Sequence, residues 1–180
     1  GKLVAAYLRG EYGPIWQSSP FLVSIIYALD RTTIKEKVES FLQSGGTVIA
    51  NRYVPSNIAH QAANIADPAK QKEFIEWVAR LEYEELNLPR EDIVVYLSLP
   101  WEIGMERSRE KLRGDTHHNY LKGKADIHEE SAEHQQKTSQ IYHQLQEKFD
   151  HWHKINCTNS KGLQRPKEEI HQEILSLLKI

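Results

Sequence analysis

Apolar positions along the chain fall into blocks that alternate between helical and extended spacing. Residues 2–9 read as the tail of a helix that stops at Gly10. Ser19-Pro20 opens a second helix, with serine as cap and proline at the first helical position. Leu22, Ile25, Ile26, Leu29, Ile34, Val38, Phe41 and Leu42 then recur near the helical period. Gly45-Gly46 ends that run. The β-branched, wholly apolar residues 47–50 predict a buried strand. Ser56 is expected to cap a helix through Ile65, and Asp67-Pro68 to open another whose stripe is Phe74, Trp77, Val78 and Leu81. Residues 93–97 (Ile-Val-Val-Tyr-Leu) predict a second strand, closed by Pro100 and followed by a charged helix to about Arg113. Residues 114–126 are polar and aperiodic and read as a mobile loop. A helix over 131–149, a short strand over 153–157 and an amphipathic helix over 166–180 complete the series.

Strands that alternate with helices predict an α/β fold, a parallel sheet with helices on both faces. Three strands are few for this many helices. The first residue is Gly1 and the one methionine is Met105. Both observations lead to the expectation of a preceding segment that supplies further strands.

Composition narrows the function classes. Lys and Arg total 23 and Asp and Glu 25, for a net charge of −2. A polybasic wrapper of nucleic acid would need a large positive excess. The longest nearly apolar run, residues 21–29, is about half of a membrane-spanning helix. No nucleic-acid or membrane partner is therefore expected. The lone Cys157 cannot close an internal disulfide, which fits a reducing cytoplasm.

Candidate chemistry collects beyond the predicted strand ends, where open parallel sheets bind ligands. Arg52 follows the 47–50 strand, and a guanidinium there can grip a phosphate through two parallel hydrogen bonds. Asn57 at the next helix start can read a base edge or merely cap. Tyr27 and Arg31 are four residues apart and share a helix face. An aromatic ring beside a guanidinium suits a nucleotide, although a core tyrosine with a surface arginine has the same spacing. Arg107, Arg109, Lys111, Arg113, Lys122 and Lys124 make a basic stretch able to neutralise phosphoryl oxygens, or simply a solvated helix end. Asp126 and Glu129 can accept from ligand hydroxyls or favour a helix start. Nine histidines raise the question of a metal. Neither His151/His153/Cys157 nor His128/His134 has zinc-site spacing, so no metal site is expected.

Together these residues resemble the thymidylate kinases, nucleoside monophosphate kinases of the P-loop class. The resemblance runs through residues 1–13, Ile26-Tyr27-Ala28-Leu29-Asp30-Arg31, residues 51–61, the basic stretch, and Asp126-Ile127-His128-Glu129 with residues 133–138. It implies one domain over 1–180: a P-loop NTPase-like three-layer sandwich lacking its N-terminal strands, with a lid at about 107–126. It implies ATP with Mg²⁺ and dTMP as ligands, and admits a homodimer through helices, for which Trp77, Val78 and Leu81 are candidates. By the same resemblance Tyr27 stacks on thymine, Arg31 hydrogen-bonds the base and Asn57 contacts thymine. Arg52 holds the dTMP phosphate, His60 lies beside the sugar, and Arg107, Arg109, Lys111 and Arg113 belong to the lid.

Two departures from the family pattern stand out. Its Asp-Arg pair is Asn51-Arg52 here, and an amide is a poorer partner than a carboxylate for hydrated Mg²⁺. Gly1-Lys2 and Gly123-Lys124 are followed by Leu3 and Ala125, so neither completes Gly-x-x-x-x-Gly-Lys-Ser/Thr. The expectation is a parent protein that transfers the γ-phosphoryl of ATP to dTMP, and a 180-residue chain inactive alone. The alternatives are another nucleoside or nucleotide kinase of this fold, or a non-catalytic nucleotide-binding or interaction module.

Overall fold

Helix α4 (Val54–Ala62) is the hub, and every one of its residues except His60 is buried. The computed structural model describes residues 1–13, 19–114 and 132–179, with side chains described outside 108–114. The other described elements are α1 (Lys2–Leu8), α2 (Pro20–Thr32), α3 (Lys35–Gln43), α5 (Pro68–Arg80), β1 (Val94–Ser98), α6 (Trp101–Gly114), α7 (Ala132–Lys148), β2 (Trp152–Asn156) and α8 (Lys167–Leu178), of which α2, α5 and α7 pack directly on α4. β1 and β2 pair in parallel, with Val94 opposite Trp152 and Ser98 opposite Asn156. The chain between them crosses over through α6 and α7, as a parallel pair requires.

Val54, Ile58, Ala59 and Ala62 of α4 pack with Phe74 and Val78 of α5, Ile141 and Leu145 of α7, and Trp152 of β2. Val78 is thus a core residue and not part of an exposed pairing face. A second cluster joins Tyr7 and Leu8 of α1 to Val23 of α2, with Tyr27 against it. Among the described residues no helix is long and apolar enough to cross a membrane.

Several local expectations hold for identifiable reasons. Asp67 caps α5 by accepting from the backbone N–H groups of Ala69 and Lys70, at 2.9 and 3.0 Å. Gly45 (φ +83°) ends α3 in a left-handed turn, where its N–H donates to Leu42 O and that of Gly46 to Phe41 O. A Cβ on Gly46 would lie 2.4 Å from the half-exposed Phe41 ring, so a larger residue there requires that ring to turn outward.

Three expectations are corrected. Residues 47–50 form no strand, and Val48 and Ile49 are 40% and 81% exposed. A β-branched run becomes a strand only beside a hydrogen-bonding neighbour, and neither β1 nor β2 pairs with it. The long helix after Ser19 is two, α2 and α3. Thr32 and Thr33 turn their hydroxyls onto the carbonyls of Leu29 and Asp30, and the backbone tightens to i→i−3 bonds at Thr33 and Ile34. Ser56 does not cap α4, which begins two residues earlier from Tyr53 and carries Pro55 in its first turn. With 47–50 outside the sheet, two strands are present among the described residues where three were expected, and these residues are helix-rich with a small parallel sheet.

Candidate active site

The turn into α4 carries the first component. Arg52 has φ +68°, in the left-handed region that non-glycine residues rarely occupy. Such a backbone costs about 1–3 kcal/mol and persists only where the surroundings impose it. Its Nε donates to the Ser56 hydroxyl at 2.7 Å. The two terminal guanidinium nitrogens make no hydrogen bond or ion pair among the described residues. A side chain is thereby fixed by its inner nitrogen while its outer fork stays open at the surface.

The second component runs along α2. Ser24, Tyr27 and Arg31 follow one another at three- and four-residue steps, so they line one face. Tyr27 packs edge-on against Tyr7, with centroids 6.4 Å apart. Arg31 Nε donates to Glu82 Oε2 at 2.6 Å, and its Nη2 donates to Glu82 Oε1. Glu82 is fully buried. It sits in a π-helical turn (Leu81–Glu85) that continues α5 and is closed by the Leu86 N–H on Leu81 O. Asn57 of α4 completes the network, with Nδ2 donating to Glu82 Oε1 at 2.8 Å and to Ser24 O at 3.2 Å. The Arg31 guanidinium also lies 5.7 Å from the Tyr53 ring centroid. Burial pushes the Tyr53 hydroxyl up to about 12, against the opposing effect of Arg31.

Unpaired buried atoms cluster on the same two helices. Ser24 Oγ, Asn57 Oδ1 and both amide atoms of Gln61 are buried with no hydrogen-bond partner among the described residues. Each such group costs about 1–3 kcal/mol unless something satisfies it. A small ligand with its own donors and acceptors would do so. The arrangement offers a neutralised guanidinium and an amide joined through Glu82, and an open cationic fork in the turn before α4, which is the equipment for a planar polar ring and for an anionic group.

Behind Arg52, His60 Nδ1 lies 3.3 Å from His134 Nε2, and the His60 ring meets Tyr142 edge-on at 6.3 Å. His134 is 4% exposed. Burial, and then the charges of Lys137 and Arg52, push it down to about 4. Its unfolded value is about 6.5, so the unfolded chain binds the extra proton between these two values. The stability this neutral ring contributes is complete above about pH 6.5, is lost as pH falls towards 4, and does not change further below. The span corresponds to about 3 kcal/mol. Urea midpoints measured from pH 7 to 4.5 should therefore fall, and His134→Gln should flatten that fall. An unchanged slope in the variant would contradict the assignment.

Arg31 and Asn57 are thus brought together through Glu82, whereas Arg52 is anchored separately on Ser56, with its charge felt by His134 and Tyr142 of α7. His60 is placed with His134 and Tyr142. Arg107 stands apart, exposed on α6, where its charge lowers the Cys157 thiol pKa against the larger upward push of burial. No hydrogen bond or ion pair joins Arg107 to the α2–α4 network among the described residues. The side chains of Arg109, Lys111 and Arg113, together with Asp126 and the rest of the expected lid, lie outside the described residues. Among the described residues no three His, Cys, Asp or Glu side chains gather as a metal would need. An open groove lined by Phe21, Asn64, Lys70, Phe74, Trp77 and Arg80 lies between the start of α2 and α5. It shares no side chain with the network. Sequence reasoning missed Glu82, Gln61, Ser56 as an anchor, and the His60–His134 contact.

Comparison with known proteins supplies the frame for this geometry. The sequence model of the family described as Thymidylate kinase matches residues 1–174. A thymidylate kinase of Mycobacterium tuberculosis (strain H37Rv) is 35% identical over 144 residues, covering 79% of this chain and 64% of the relative; the protein of strain CDC 1551 matches equally. A probable thymidylate kinase of Pyrococcus abyssi is 25% identical over 157 residues, covering 87% of this chain and 63% of the relative. The chain therefore spans less than two thirds of the length of these relatives.

Proposed function

From the premise that this chain belongs to the thymidylate kinase family, we propose that the protein transfers the γ-phosphoryl of ATP to dTMP, giving dTDP and ADP. The family implies a P-loop NTPase fold, of which the helix-rich body and parallel strand pair described above are a part. The observation that carries the proposal is the network in which the buried Glu82 carboxylate holds Arg31 and Asn57 together, with the open Arg52 guanidinium in the turn that leads into the same helix α4.

In this reading the Arg52 fork takes the dTMP phosphate, which places the attacking oxygen. Positioning of this kind is the larger part of phosphoryl-transfer catalysis. Tyr27 provides a ring for the pyrimidine. Arg31, its charge neutralised by Glu82, reads a base carbonyl and leaves phosphate to Arg52. His60 lies on the sugar side. Arg107, Arg109, Lys111 and Arg113 would neutralise charge on the transferring group, and Asp126 would accept from a ligand hydroxyl.

Thymidylate kinases use ATP and Mg²⁺. The 180 residues do not fit that pair by themselves. They contain no Gly-x-x-x-x-Gly-Lys-Ser/Thr cradle, and Asn51 offers an amide at the position of a carboxylate. No step is therefore routed through the ion. We further place the protein in the cytoplasm, on its single Cys157, and as a homodimer, on its family.

ADP formation by the full-length gene product with ATP·Mg²⁺ and dTMP, dCMP or UMP in turn tests the proposal. Turnover is expected with dTMP, and far less with dCMP. Absence of dTMP-dependent ADP release, or equal turnover with dCMP, would refute it. The latter result would point to another nucleotide kinase of this fold.

A further inference from the structure

We infer that Glu82 is a positioning residue that sets pyrimidine specificity by fixing which way the Asn57 amide faces. The inference rests on the proposed nucleotide site and goes beyond it, because Glu82 touches Arg31 and Asn57 and is not itself offered as a ligand contact.

An asparagine side chain has one acceptor end and one donor end, and its neighbours decide the orientation. Asn57 has two neighbours, Glu82 Oε1 at 2.8 Å and the Ser24 carbonyl at 3.2 Å. Both are acceptors, so both require the NH₂ end. Reversal of the amide would set its oxygen against a carboxylate and a carbonyl at once. The oxygen is therefore committed to the other side, where Asn57 Oδ1 is buried and has no partner among the described residues. It can be satisfied by a hydrogen-bond donor and not by an acceptor.

The same carboxylate holds Arg31 through Nε and Nη2. Arg31 is thereby clamped as a donor beside an acceptor. A ring that meets this pair must present a carbonyl next to an N–H. Thymine and uracil do so at O4 and N3–H. Cytosine has an amino group and an unprotonated N3 there, the opposite pattern. A site committed in this way rejects the mismatched ring because its buried polar atoms would be left unpaired.

Only a fully buried acceptor can serve both residues without competition from water, and Glu82 is 0% exposed. Its place in a π-helical turn supports the assignment, since such turns occur often at functional sites. Glu82→Gln keeps the shape but brings an NH₂ that can rotate towards Asn57 and release its amide.

The test is calorimetric binding of dTMP and dCMP to the full-length gene product and its Glu82→Gln variant. The wild type should prefer dTMP. The variant should bind dTMP about 10- to 100-fold more weakly, with the preference over dCMP falling by a similar factor. ATP affinity should be unchanged. A folded variant that weakens both nucleotides equally, with the ratio intact, would show a merely structural role and overturn the inference. If the wild type does not bind dTMP at all, the proposed function fails instead.

A measurement on the wild type covers the case of a variant that does not fold. The Asn57 side-chain NH₂ should exchange slowly with solvent and keep a single orientation in NMR spectra, with and without dTMP. Fast exchange, or amide reversal when dTMP binds, would equally overturn the inference.

Discussion

Arg52→Ala in the full-length gene product is expected to lower kcat/KM for dTMP by about 10²–10⁴-fold, with a melting temperature close to that of the parent. The activity loss follows from the open guanidinium fork, which on this account is the phosphate clamp. The stability should change little because Arg52 is exposed and contributes a single side-chain bond, Nε to Ser56 Oγ. Arg52→Gly sharpens the test. Glycine relieves the φ +68° backbone, a gain of about 1 kcal/mol or more, which the greater freedom of the unfolded chain offsets by a similar amount. Activity should thus be lost with no loss of stability. If Arg52 only held the fold together, both variants would instead melt early and keep the kcat/KM of whatever fraction remained folded.

The second large effect concerns the 180 residues on their own. On the proposed reading they hold the dTMP side, their sequence contains no Gly-x-x-x-x-Gly-Lys-Ser/Thr cradle for ATP, and positioning with electrostatic stabilisation supplies nearly all the rate of phosphoryl transfer. Purified residues 1–180 are expected to form no ADP above the dTMP-free background, while the full-length gene product turns over. Measurable dTMP-dependent ADP release from the 180 residues would show that the donor site lies within them and would overturn this part of the account. Helix faces with exposed apolar residues, such as Leu22 at 63% and Leu29 at 53%, give a further reason to expect low solubility from the same preparation.

Local signals carried much of the fold and named Arg31, Asn57 and Arg52 of the proposed site. Asp67-Pro68 marked the start of α5, and the 93–97 and 153–157 runs lie within one residue of β1 and β2. Gly45, at φ +83°, ended α3 in the left-handed turn that a glycine signals in a sequence. The 47–50 run shows the limit. Strand propensity is a preference for a paired, half-buried surface, and the pairing partner is not a local property.

Glu82 shows the same limit in the site. With Glu84 and Glu85 beside it, Glu82 reads as part of a solvated charged end. A usable signal was present nonetheless. Phe74, Val78 and Glu82 are spaced by four, so the acid occupies a core position of the α5 stripe and requires a partner. That partner, Arg31, lies 51 residues away, and His134 lies 74 residues from His60. Such pairings follow from tertiary packing and leave no periodic trace.

The crystal structure of the full-length gene product with dTMP tests the central claim most directly. The phosphate is expected within about 3 Å of the Arg52 guanidinium, the pyrimidine against Tyr27, and its N–H edge on Asn57 Oδ1. A nucleotide seated elsewhere, such as the Phe21–Trp77 groove, with Arg52 and Asn57 untouched, would contradict it.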